Sequence, residues 1–102
     1  MAQQNTHYWP QVLQAVPGDN FTVYAYFSDG SIRLFDVKPL IYSGSVFEPL
    51  ADVETFASRI TVMNDTVAWD IQGDGDTRHC LDLDPFTIYE SMAVVDPLAE
   101  AG

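Results

Sequence analysis

The sequence predicts an α+β fold: a mostly antiparallel sheet of about five strands, one covering helix and a short C-terminal helical turn. Three observations lead there. Two turn signals, Asp29-Gly30 and Asn64-Asp65, each sit between runs of β-branched and aromatic residues. Apolar residues recur at helical spacing between Leu50 and Ile60. The pair Asp84-Pro85 has the chemistry of a helix start. With 102 residues, the chain is expected to form a single domain over 1–102, with its core within about 12–91. A content of 47% hydrophobic and 13% aromatic residues suffices for an unaided core and argues against bulk disorder.

Val12 to Val16 reads as the first strand, closed by the turn Pro17-Gly18-Asp19-Asn20. The next two strands meet at Asp29-Gly30, read as a two-residue type I′ turn. That register sets Phe27 opposite Ile32, Ala25 opposite Leu34 and Val23 opposite Asp36 on a core-facing side. The other side pairs Tyr26 with Arg33, inviting a cation–π contact, and Tyr24 with Phe35. Asp36 falls at the end of cover or caps a nearby amide. Lys38-Pro39 ends the meander because proline cannot donate to a ladder. Tyr42-Ser43-Gly44-Ser45 is loop.

A helix is predicted from about Pro49 to Arg59, with Leu50, Val53, Phe56, Ala57 and Ile60 as its apolar stripe. Asp52 and Glu54 near its start and Arg59 near its end suit the helix dipole. The hairpin 60–71 then turns at Asn64-Asp65 and is expected to extend the sheet layer. It pairs Val62 with Val67 and Ile60 with Trp69 on an apolar side, and Thr61 with Ala68 and Met63 with Thr66 on a mostly polar one. Asp84 caps a short helix through Tyr89 that buries Phe86, Ile88 or Tyr89. The tail from Asp96 to Gly102 is expected to fray.

The net charge is −11, and it is lopsided. Residues 1–51 carry four acids against two bases, and residues 52–102 carry eleven against two. Such a field repels phosphate backbones and anionic membranes, so no nucleic-acid or membrane partner is expected and a basic protein partner is. A single cysteine, Cys80, permits no internal disulfide, and the N-terminal residues show no leader. A cytoplasmic location is the expectation.

The candidate partner-binding residues are Asp70, Asp74, Asp76 and Asp82, in a stretch of fifteen residues that holds five aspartates. The run Asp70-Ile71-Gln72-Gly73-Asp74-Gly75-Asp76 imitates the first half of a calcium loop, which makes a divalent-cation response the alternative reading. The imitation stops at Leu81, which stands where a bidentate glutamate belongs. His79 and Cys80 are neighbours whose side chains oppose each other on an extended chain, so the histidine is poorly placed to activate the thiol. The expectation is an exposed His79 and a Cys80 in the core. Asp82 and Asp84 share a strand face, but a helix cap beside a polar strand position produces the same pattern. With no nucleophile elbow, phosphate-cradling loop or zinc set, neither an enzymatic role nor a metal or cofactor is expected. Tyr8, Trp9 and Pro10 cover a sheet edge or join a contact surface.

Three groups of residues carry a resemblance. They are Phe27-Ser28-Asp29-Gly30 with Asp36-Val37; Phe47-Glu48-Pro49-Leu50 with Phe56; and Val67-Ala68-Trp69 with Asp82-Leu83-Asp84-Pro85 and Tyr89-Glu90-Ser91. In order and spacing, over roughly residues 12–91, the chain resembles the domain-of-unknown-function 2442 family of small bacterial and phage proteins. The segment from Asp70 to Cys80 lengthens the interval between tryptophan and aspartate. The resemblance implies an α+β domain with no established activity or catalytic residues. It further implies relatives that carry a helix-turn-helix segment, or that pair with a second small protein as in a toxin–antitoxin module. Together these make a non-enzymatic interaction module, the acidic member of a two-protein system, the leading expectation.

Overall fold

The computed structural model describes residues 9–75 and 80–97. It is an α+β arrangement of two antiparallel sheets joined by a shared core. In the first sheet, β1 (Val12–Pro17), β2 (Thr22–Phe27) and β3 (Ile32–Asp36) form the expected meander, and β7 (Met92–Ala93) adds to its far edge. The second sheet orders β4 (Ile60–Met63), β5 (Thr66–Trp69) and β6 (Leu81–Asp82). Two short helices complete the chain, α1 (Val53–Ser58) and α2 (Pro85–Tyr89).

The hairpin at Asn64-Asp65 forms in the predicted register, Ile60 opposite Trp69 through Met63 opposite Thr66. Both turn residues adopt positive φ (54° and 66°), as a type I′ turn demands. Its surroundings differ from expectation. The hairpin does not extend the meander; it founds a second sheet, tied to the first where the Val12 amide donates to the Asp65 carbonyl at 2.9 Å. As the middle strand, β5 is buried along its whole length, so it has no polar outer face. Thr66 tolerates this because its hydroxyl donates to the Leu83 carbonyl at 2.7 Å.

The first hairpin is one residue out of the predicted register. Gly30 alone has positive φ, at 93°, which rules out a type I′ turn across Asp29-Gly30. The loop instead holds three residues, Ser28-Asp29-Gly30. The Gly30 amide donates to Phe27 O at 3.0 Å, and the Phe27 amide donates to Ser31 O at 2.9 Å. The Asp29 carboxylate accepts from the Ser31 amide (2.9 Å) and hydroxyl (2.7 Å), which holds the longer loop closed. A slip of one exchanges the faces of β3. Phe35 now faces Val23 and Arg33 faces Ala25, while Ile32 and Leu34 accompany Tyr26 and Tyr24.

The predicted ten-residue helix is also divided. A 3₁₀ turn spans Glu48–Ala51, Asp52 is extended, and α1 begins at Val53. Asp52 acts as N-cap, accepting from the Glu54 amide at 3.2 Å and the Thr55 hydroxyl at 3.0 Å. The break dismantles the stripe: Leu50 and Phe56 are buried, but Val53 is 67% exposed and Ala57 faces solvent. At the C-terminal end, α2 starts as predicted, with the Asp84 carboxylate accepting from the Phe86 amide at 3.0 Å. Ile88 is the residue it buries. The tail is anchored further than expected, because Asp96 accepts from the Tyr26 hydroxyl at 2.7 Å; the rest of the predicted fray, 98–102, lies outside the described residues.

The core draws Val23, Ala25 and Phe27 from one sheet, Val67 and Trp69 from the other, and Leu50, Phe56, Leu83 and Ile88 from between. Trp69 is fully buried, and its indole N–H donates to the Phe56 carbonyl at 3.0 Å. Among the described residues no helix is long and apolar enough to cross a membrane.

Candidate functional site

The acidic loop leaves β5 at Asp70, whose carboxylate is turned inward upon its own loop. One oxygen accepts from the Gly73 amide at 3.0 Å and the other from the Gly75 amide at 2.9 Å. Both glycines have positive φ, 71° and 72°, conformations that side-chain-bearing residues rarely adopt. Asp70 therefore closes a turn, a geometry unlike that of the predicted calcium loop, where its oxygens would point at an ion. Among the described residues, no three histidine, cysteine or carboxylate side chains converge as metal ligands. Asp76 and His79 lie outside the described residues, as does Tyr8. Asp74 is exposed, and Cys80 is half-buried and not among the core residues.

The remaining candidate, Asp82, stands exposed on β6 beside a groove that sequence reasoning missed. Phe35 of β3, Leu40 of the 3₁₀ turn after it, Phe47 and Leu83 line a cavity of about 320 Å³, together with Asp82, Asp84 and Thr87. The four apolar side chains are half-buried or buried, and the three polar ones are exposed. The groove thus has an apolar floor and an acidic rim, with no basic residue in its lining among the described residues. The rim is built locally: in Asp82-Leu83-Asp84 the strand alternation turns Leu83 inward and leaves both carboxylates outward. Asp84 is partly engaged, since it also accepts from the Thr87 hydroxyl at 3.2 Å. The signals for the floor were Leu40 and Phe47, large apolar residues in segments with no period of their own.

A second polar cluster links the first hairpin to α2. The Tyr89 hydroxyl donates to Asp29 at 2.6 Å across sixty positions of sequence. The Arg33 guanidinium lies over the Tyr89 ring, 4.3 Å from its centre, and donates to the Ser91 carbonyl at 3.1 Å. The cation–π partner of Arg33 is thus Tyr89 and not Tyr26, a consequence of the shifted register. Desolvation would raise the Asp29 pKa, but hydrogen bonds from Tyr89 and Ser31 and the charge of Arg33 outweigh it and hold the carboxyl below the usual aspartate value. The same hydrogen bond, with desolvation and the Asp29 charge, pushes Tyr89 up against the opposing pull of Arg33. These residues are held to one another by contacts that tie hairpin to helix, a structural task. The residues that suggested kinship are therefore, in large part, the ones that close the fold.

At the N-terminal edge Trp9 is 75% exposed and meets Phe86 edge-on at 5.5 Å, while Pro10 is buried. Phe86 is itself 45% exposed, next to Thr87 of the groove.

This geometry defines an α+β protein of two small antiparallel sheets with an acid-rimmed apolar groove between β3, β6 and α2. The chain belongs to the family described as "Protein of unknown function (DUF2442)", whose model matches residues 12–92. None of the curated proteins and none of the solved structures compared with it matches.

Proposed function

We propose that this protein is a non-enzymatic interaction module that binds a basic protein partner, as the acidic member of a small two-protein system. One observation carries the reading: two exposed carboxylates, Asp82 and Asp84, rim an apolar groove that, among the described residues, no basic side chain lines. The uneven charge supports it, since the half of the chain that contains this rim carries eleven acids against two bases. Of the four candidate aspartates, Asp70 is engaged by its loop amides, so Asp82 leads; Asp74 is exposed, and Asp76 lies outside the described residues. Such a field steers encounter and selects partners by sign. Exposed ion pairs contribute only roughly 0.2–1 kcal/mol each, so charge chooses the partner without holding it firmly.

The test is retention of proteins from the native host on the immobilised chain at low salt. A basic protein should be recovered, and its binding should weaken as salt rises and on charge reversal at Asp74, Asp76 and Asp82. If no protein is held at low salt, or the one held is acidic, the reading fails.

A further inference from the structure

Resting on that reading, we infer that the groove takes one bulky apolar side chain from a basic segment of the partner, with flanking lysine or arginine residues meeting Asp82 and Asp84. The floor is the first reason. Phe35, Leu40, Phe47 and Leu83 come from four separate segments, yet together they leave a cavity of about 320 Å³. That volume stands at the lower end of the roughly 300–1,000 Å³ typical of small-molecule pockets, a size suited to a side-chain anchor. Interfaces concentrate their affinity in anchors of this kind, buried in a pocket and ringed by polar contacts.

Charge decides what flanks the anchor. A phosphate-bearing or carboxylate ligand would meet Asp82 and Asp84 at the mouth and, among the described residues, no compensating base in the lining. Asp84 already accepts from the Phe86 amide and the Thr87 hydroxyl, whereas no hydrogen bond engages the Asp82 carboxylate among the described residues. Asp82 is therefore the acceptor for an incoming guanidinium or ammonium group. A second copy of this chain fits poorly, since each copy carries a net charge of −11. Phe86, which precedes Thr87 on α2, is itself 45% exposed and meets the exposed Trp9 edge-on at 5.5 Å.

The experiment is selection of a random-peptide library on the full-length chain at low salt, followed by affinity measurements on the enriched peptides. Enriched peptides should share a large apolar residue flanked by lysine or arginine. Replacing that residue by alanine should weaken binding on the order of tenfold or more. Thr87→Trp, which fills the groove mouth from an exposed position, should weaken binding similarly while the far-ultraviolet circular dichroism spectrum shows the fold retained, although the hydroxyl's bond to Asp84 is lost. Asp82→Lys should weaken binding and flatten its salt dependence. Basic peptides with no apolar anchor, insensitive to Thr87→Trp, would overturn the groove inference while leaving the charge reading standing. Enrichment of nothing, or of acidic or neutral peptides, would overturn both. A concentration-dependent dimer that Thr87→Trp abolishes would put a second copy in the groove and equally end the proposal.

Discussion

Replacing Trp69 by phenylalanine probes the joint on which both sheets depend. The indole is fully buried, lies between Ile60 and Leu81 across its two strand pairings, and sits 5.3 Å from the Phe56 ring. Its N–H donates to the Phe56 carbonyl at 3.0 Å, one of the last-turn carbonyls of α1 that the helix cannot satisfy by itself. Phenylalanine removes the donor and leaves that carbonyl buried and unpaired, at a cost of roughly 1–3 kcal/mol. The smaller ring also forfeits apolar burial and leaves a void, worth roughly 1–2 kcal/mol more. The expected loss is about 2–5 kcal/mol against a total stability of about 5–15 kcal/mol for a domain of ordinary stability. At about 4–8 °C per kcal/mol, the melting temperature should fall by about 10 °C or more. Urea unfolding followed by far-ultraviolet circular dichroism reads this without relying on the tryptophan removed. Trp9→Phe, at a 75% exposed position, is the control and should change stability by less than about 0.5 kcal/mol. If Trp69→Phe lost less than about 1 kcal/mol, or no more than the control, the indole would not be the buried link described here.

Three further outcomes follow from the same contacts. Thr66→Val keeps the shape but strands the Leu83 carbonyl, and should cost about 1–3 kcal/mol in chemical denaturation; a neutral result would show that the 2.7 Å bond adds nothing. In the folded chain Asp29 releases its proton at lower pH than in the unfolded chain, so below about 3.9 the unfolded state holds more protons. Stability from this group should therefore be intact above that value and drain away as pH falls toward the folded pKa. Tyr89, shifted upward, should hold its contribution below about pH 10 and lose it as pH climbs through the raised value. Tyr89→Phe should shrink the acid-side dependence, and an identical pH–stability profile for the variant would refute the coupling. Titration with millimolar calcium should leave Trp69 fluorescence and the melting temperature unchanged, because Asp70 is held by Gly73 and Gly75; a saturable rise in either would revive the cation reading.

Local chemistry determined several elements from the sequence alone. Asn64 and Asp65 both tolerate left-handed backbone, so the second hairpin had one favourable turn and therefore one register. Asp84 followed by Pro85 could begin a helix and little else, and Trp69 was too large and apolar to be left outside. The acidity of the rim was equally legible, since it follows from composition.

The first hairpin was different. Ser28-Asp29-Gly30 accommodates a two-residue or a three-residue loop, and β3 is half-buried on both faces, so its pattern could not choose between them. Contacts from a distant segment accompany the register adopted, with Tyr89 and Ser91 meeting Asp29 and Arg33. The split before α1 likewise set a continuous apolar stripe against the capping preference of Asp52, and the cap won. Whether hairpin 60–71 extended one layer or founded another was beyond periodicity, which reports which face is apolar but not what covers it. The groove was least legible of all, because its floor joins Phe35, Leu40, Phe47 and Leu83, residues that only the folded chain brings within reach of one another.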